Sequence, residues 1–213
     1  VVFFHLQESE HGEALMRKLP LKRLIFTRQW FVTLTERITL PDYNRVEAIT
    51  EALGTQWQYA DLRMETPDTN DGKALSKFCR KLAVPLRQAL RKEKSLSEKG
   101  DKDGAILHAL FLSGQEVILG FSLYENNSPH VMGIPRLRFP SQAPSRSTLK
   151  LDEAFLFFIP KSDWEHRLTS GMNAVDLGSA PGGWTYQLVR RGMMVTAVDN
   201  GPMAESLMET GQV

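Results

Sequence analysis

The sequence predicts an α/β protein: an α+β N-terminal part, followed by the first half of an open, parallel α/β sheet. Three stretches carry that prediction. In VDLGSAPGGWTYQLV, residues 175–189, an apolar strand-like piece enters a turn of glycine and proline and leaves as a helical pattern; a second apolar run, 194–198, then ends on Asp199. Upstream, residues 106–112 and 116–122 read as two strands joined by Ser113, Gly114 and Gln115, a hairpin signal. Between these regions lies ENNSPHVMGIPRLRFPSQAPSRS, with four prolines and no strong periodicity. It reads as an ordered linker between domains.

Taken in order, the chain opens on VVFFHL, which reads as a strand entered midway, so the natural chain is expected to begin earlier. The stretch has no basic n-region and no cleavage pattern, unlike a signal peptide. A helical pattern follows around residues 14–18. The apolar, β-branched run 25–34 reads as a strand. Pro41 starts a helix to about Leu53, with Val46, Ile49 and Leu53 at helical spacing and Gly54 closing it. Residues 61–66 alternate as a strand. Residues 71–82 form an amphipathic helix with Leu75, Phe78, Cys79 and Leu82 inward. Pro85 has no amide donor and disfavours helix at Val84, so a separate short helix, 85–92, is expected. Residues 95–104 are a polar loop. Beyond the linker, Leu151, Ala154, Phe155 and Phe158 make a helical stripe that stops at Pro160. Ser162 and Glu165 fit a capping box that opens a short helix. Residues 174–177, 183–191 and 194–198 are then strand, helix and strand.

With 213 residues, 42% of them hydrophobic, the chain can bury one large core or two small ones. No apolar run approaches the ~20 residues of a membrane helix, so no membrane contact is expected. The single cysteine, Cys79, excludes an internal disulfide and reads as a small apolar filler. The five histidines are scattered, and no metal is expected. A net charge of +1 hides two basic islands. Residues 73–94 hold eight basic residues (Lys73, Lys77, Arg80, Lys81, Arg87, Arg91, Lys92, Lys94) against Glu93 alone. Residues 126–150 hold Arg136, Arg138, Arg146 and Lys150 and no acid. Such islands suit a polyanion, and a solvated helix face with a charged linker accounts for them as well. Nothing marks an obligate interface, so a monomer is expected.

Strand, glycine turn, helix, strand and acid make the first half of a nucleotide-binding unit. The turn aims backbone amides and the positive end of the helix at a ligand. Asp199 follows Asp176 by 23 residues, close to the ~20-residue offset at which an acid meets a ribose in such folds. The turn is not G-x-G-x-x-G, the arrangement that admits a pyrophosphate. In DLGSAPGGW, Gly178 opens the turn, Pro181 stiffens it, and Gly182 with Gly183 bare the backbone where the helix begins. That suits a ligand with an amino-acid portion and an adenosine.

DLGSAPGGW resembles motif I of the S-adenosylmethionine-dependent 2′-O-ribose RNA methyltransferases of the FtsJ/RrmJ type. SRSTLKLDEAF, just upstream, resembles their RSxxxxKL-like segment. NNSPHVMGIPRLRFP, CRKLAVPLR, RQWFV and VDNGPM extend the likeness over nearly the whole chain, to the bacterial RlmM-type group that acts on a cytidine of 23S ribosomal RNA. The resemblance implies a remnant of a ferredoxin-like domain at 1–40, a THUMP RNA-binding domain at 41–134 and a linker at 135–146. Residues 147–213 would be the N-terminal portion of a Rossmann-like methyltransferase domain. The implied cofactor is S-adenosyl-L-methionine, the implied partner large-subunit ribosomal RNA, and the implied setting the cytoplasm. Ser147, Ala180, Pro181, Gly182 and Gly183 are implied to line the cofactor, and Asp199 to hold its ribose. Lys150 is implied to be the first lysine of a Lys-Asp-Lys-Glu catalytic set. Ser147 equally fits a helix N-cap, and Lys150 a surface lysine. The family's Asp, second Lys and Glu fall beyond Val213, so the chain is expected to be an inactive, C-terminally truncated fragment.

In such an enzyme a ribose 2′-hydroxyl must lose its proton and line up with the methyl group and sulfur. A lysine near its ordinary pKa of ~10.4 cannot accept that proton until burial or a second cation lowers it. By resemblance the base is the second lysine, which leaves Lys150 as a positioning cation. A different reading is a non-catalytic RNA-binding or ribosome-assembly protein that inherited a methyltransferase fold. A nicotinamide dehydrogenase is the weakest reading, since G-x-G-x-x-G is missing.

Overall fold

The computed structural model describes residues 1–6, 11–54, 57–98 and 104–213. The α/β class expected from the sequence is what forms. The chain divides into two compact units, Val1–Ile134 and Pro135–Val213.

The first unit opens with residues 1–6, which form no strand, contrary to expectation, and lie exposed. Helix α1 (Gly12–Lys18) follows and buries Met16, whose Sδ accepts the Leu123 N–H at 3.2 Å. The sheet holds β1 (Val32–Thr33), β2 (Ile38–Thr39), β3 (Tyr59–Glu65), β4 (Ala105–Phe111) and β5 (Glu116–Leu123). Its order is β1-β5-β4-β3, with β2 also on β5. β3 runs parallel to β4, and β4 and β5 form the expected hairpin.

The strand expected at 25–34 shrinks to two residues. Ile25 and Phe26 are 90% and 97% exposed. An apolar run becomes a strand only where an edge is free to pair, and here the edge of β5 is shared. Val32 pairs with Phe121 and Ile38 with Val117. Phe31 instead lies flat on the sheet, stacked on His108 at 4.8 Å and filling the space over Gly120.

The other face of the sheet takes α2 (Arg45–Leu53) and α3 (Asn70–Lys92), over a core that includes Ile49, Leu62, Leu86, Leu90, Leu107 and Phe111. α2 begins four residues after Pro41, because Asn44 turns left-handed at φ 57° first. α3 is one helix of 23 residues, which corrects the expected break at Pro85. Its start is capped by Thr69, whose Oγ1 accepts the Gly72 N–H at 3.1 Å. A proline inside a helix costs about 3 kcal/mol. Cys79, Leu86 and Leu90 lie buried along one stripe on both sides of it, and each large apolar side chain returns about 1.5–3 kcal/mol. Pro85 itself is exposed, so its ring disturbs no packing. Burial pushes the Cys79 thiol up to about 11, which suits an unreactive filler. Of the expected polar loop at 95–104, residues 99–103 lie outside the described residues.

The second unit holds α4 (Thr148–Phe158), α5 (Trp164–Arg167), β6 (Asn173–Leu177), α6 (Gly183–Val189), β7 (Met194–Val198) and α7 (Glu205–Met208). β6 and β7 pair in parallel, Asn173 opposite Met194. Asp176 and Val195 are buried on one face of this pair. On the other, Val175, Leu177, Met194 and Val198 are exposed. Phe155 is buried under α4, but Phe158 is 80% exposed, against the expected stripe. α6 has seven residues against eleven in α4, so the last turn of α4 overhangs it. The capping box does not form: Ser162 Oγ donates to Asp163 Oδ1 at 2.9 Å. Among the described residues no helix is long and apolar enough to cross a membrane.

Candidate functional site

The site is built around the turn between β6 and α6. Gly178 leaves β6 at φ +74° with its N–H donating to the Val198 carbonyl at 2.8 Å. The Ala180–Pro181 peptide is cis. Gly182 then takes φ +111°, a conformation that side chains with a Cβ avoid. A Cβ placed there would stand 2.3 Å from Leu207 Cδ1 of α7. At Gly183 it would stand 2.0 Å from Ser147 Oγ, 2.4 Å from Ser145 Oγ and 3.1 Å from the Thr148 amide nitrogen. The backbone bared at these two glycines therefore admits the protein itself: α7 on one side and the start of α4 on the other. At Gly178 a Cβ would meet open space.

Ser147 occupies the N-cap position of α4 but makes no capping bond. Its Oγ lies 2.6 Å from Ser145 Oγ, and both hydroxyls face Gly183. Sequence reasoning missed Ser145, although a second serine two residues from Ser147 was the available signal.

Asp199 follows β7 and joins the two ends of the motif. Its Oδ2 accepts the Ala180 N–H at 2.8 Å, and its Oδ1 accepts the Gly201 N–H at 2.8 Å. The Gly201 amide first, then that of Ala180, holds the carboxyl below the usual aspartate range. The residue is exposed, so a carboxylate fixed in place by backbone donors still faces solvent beside the turn. Pro181 is held too, its carbonyl accepting the Ala204 N–H at 3.0 Å. Ser147 and Gly183 are thus in contact, and Ala180 is bonded to Asp199. Lys150 is exposed and is in none of these contacts. It lies about 200° around α4 from Thr148, which faces α6. Among the described residues no group of three His, Cys, Asp or Glu is placed to hold a metal.

Gly183→Ala should destabilise the second unit by about 1–3 kcal/mol, the usual cost of forcing a methyl into a packed contact. Ser145 and Ser147 are too short to swing clear, and the third neighbour is backbone. Gly114→Ala, with nothing within 4 Å, is the control. Equal denaturation midpoints for the two variants would show that the contact is not tight.

A second candidate surface lies on α3. Lys73, Lys77, Arg80 and Lys81, in the part of α3 before Pro85, fall within about 100° of arc, and all four are exposed. Arg87 does not join them. Its guanidinium donates to Asp61 Oδ1 at 2.8 Å and to the Leu62 carbonyl, tying α3 to β3. Arg91 likewise reaches the Ser97 carbonyl at 3.5 Å.

Comparison with known proteins places these features. Residues 1–31 match a model described as RlmM ferredoxin-like domain, and residues 44–123 one described as Ribosomal RNA large subunit methyltransferase M, N-terminal. Residues 143–213 match FtsJ-like methyltransferase. The whole chain is 81% identical to Ribosomal RNA large subunit methyltransferase M of Colwellia psychrerythraea, covering 59% of that protein. The chain carries RlmM N-terminal and FtsJ-like domains. The RlmM relative from Aeromonas hydrophila is 57% identical over the whole chain, which spans 58% of its length. The family of FtsJ-like methyltransferases uses S-adenosylmethionine. A solved structure, TrmN from Thermus thermophilus, aligns with 86% of this chain and 52% of its own. At 18% identity and a TM-score of 0.31 that likeness is too slight to carry an inference.

Proposed function

We propose that this chain is the RNA-gripping and cofactor-holding part of an S-adenosylmethionine-dependent enzyme that methylates the ribose 2′-hydroxyl of a cytidine in large-subunit ribosomal RNA. The observation that carries the proposal is the Asp199 carboxylate, pinned by Ala180 and Gly201 yet open to solvent at the lip of the glycine turn. The names of the relatives support the substrate, and the chain spans under two thirds of their length. Within the chain, residues 1–40 are the ferredoxin-like remnant, 41–134 the THUMP domain, 135–146 the linker and 147–213 the start of the methyltransferase domain. The enzyme works in the cytoplasm, as a monomer and without a metal.

The turn fits the cofactor. Each Asp199 oxygen accepts one backbone N–H and keeps a lone pair for a ribose hydroxyl. Gly178 leaves open space beside it. Bound there, S-adenosylmethionine supplies an electrophilic methyl group on its sulfonium. Ser147, Ala180, Pro181, Gly182 and Gly183 form the wall against which it rests. Lys150 contributes a positive charge near the 2′-oxygen, and the exposed cations of α3 hold RNA phosphates.

Asp199→Ala should weaken S-adenosylmethionine binding roughly ten- to hundredfold, as expected for charge-assisted hydrogen bonds. Calorimetry on a protein of the relatives' full length checks it. Unchanged affinity would remove Asp199 from the site.

A further inference from the structure

Ser147 and Lys150 both ride on α4, so the way α4 is held matters to the site. It is held largely by polar groups. Thr148 and Gln187 are both completely buried, and Gln187 Nε2 donates to Thr148 Oγ1 at 2.9 Å. Four residues further along, at Asp152 of α4 and just past the end of α6, Arg191 Nη2 donates to Asp152 Oδ1 at 2.9 Å. Arg191 Nη1 donates to Gln187 Oε1 at 2.6 Å and to the Gln187 carbonyl at 2.7 Å, linking the two pairs. The guanidinium is roofed by Phe155, whose ring centre is 4.7 Å away. Residues 148 and 152 share a face of α4, and 187 and 191 continue one face of α6, each pair four residues apart. The contact of Ser147 with Gly183 precedes them, four residues before Gln187 on α6 and next to Thr148 on α4.

Apolar contacts tolerate sliding, whereas paired polar groups do not. A slip of one turn would leave the buried Gln187 Nε2 without its Thr148 acceptor and take Asp152 from the Arg191 guanidinium, a penalty that apolar surfaces never impose. A buried polar residue that fixes register between helices is the best-attested use of such groups. We infer that the ladder Thr148–Gln187 and Asp152–Arg191 sets the register of α4 on α6, and so places Ser147 on the glycine turn and Lys150 outward. Gln187, bonded to both rungs, is the positioning residue. The inference rests on the roles proposed above for Ser147 and Lys150.

The test is Thr148→Val with Gln187→Met in the full-length protein, which keeps shape and leaves no donor behind at either position. Lys150→Ala is measured beside it. The midpoint of thermal unfolding should move by no more than about 4 °C. Amide exchange of residues 147–151 should speed up about tenfold or more, as local opening becomes easier. Turnover should fall about tenfold or more with KM for RNA unchanged, as when orientation is lost. Gln187→Glu, able to accept from both Thr148 and Arg191, should keep wild-type exchange and turnover. Unchanged exchange in the apolar pair, or a Gln187→Glu variant as impaired as that pair, would overturn the inference. Faster exchange with full turnover, while Lys150→Ala is inactive, would overturn the ladder's positioning role and leave the proposed function standing. A fully active Lys150→Ala would instead mark failure of the site reading itself.

Discussion

Lys150→Ala in the full-length enzyme is expected to cut methyl transfer by about 10²–10³-fold, the range found when one fixed charge or donor is removed from a developing oxyanion. The 2′-oxygen gains negative charge as its proton leaves, so a neighbouring ammonium is worth more in the transition state than in the ground state. S-adenosylmethionine affinity should stay within about twofold, because the turn, Asp199 and Ser147 are untouched. Fold should survive as well: Lys150 is exposed and sits on the side of α4 away from the α6 contact. Single-turnover kinetics with ribosomal RNA separates the effects. A variant with wild-type turnover would place the cation elsewhere.

Replacing Lys73, Lys77, Arg80 and Lys81 with Gln should lower RNA affinity by about 10²-fold or more at low salt and flatten its logarithmic salt slope by about 3, close to one counterion for each lost phosphate contact. S-adenosylmethionine affinity should not change. Arg87 belongs outside this set, because its ion pair with Asp61 joins α3 to β3 and its loss would unsettle the fold. Including it would confuse weaker grip with a weaker helix. If the four-site variant bound RNA with the same affinity and the same slope, the face would be solvated only.

The turn was legible because its signals are local. Strand, glycines, helix and acid follow one another within 25 residues, and each has a backbone reason to stand where it does. What the residues could not tell was who approaches the glycines. Ser145, Ser147 and Leu207 reach Gly182 and Gly183 from either side of the motif, and such contacts leave no periodic trace. Pro85 misled for the opposite reason: a local rule was overruled by an apolar stripe that continues past it. The run 25–34 misled because β-branched residues report affinity for a sheet and not whether an edge is vacant. Buried polar sets were invisible altogether. Glu65, His108 and Ser122 are bonded in a row, His108 Nδ1 to Glu65 at 2.9 Å and Nε2 to Ser122 at 2.7 Å, yet they come from three different strands.

The contact of Gly182 with α7 has a consequence in time. Met203 and Leu207 press on a turn more than twenty residues behind them, and the Ala204 amide closes on the Pro181 carbonyl. The turn is therefore not a piece that can set by itself as the chain leaves the ribosome. Synthesis runs from the N-terminus, and domains fold as their parts emerge. Until residues 203–207 are out and folded back, Gly182 lacks the Met203 and Leu207 contacts and Pro181 the Ala204 bond that close over the turn. A nascent chain arrested before Met203 should leave this turn open to protease, and one arrested well after Leu207 should protect it.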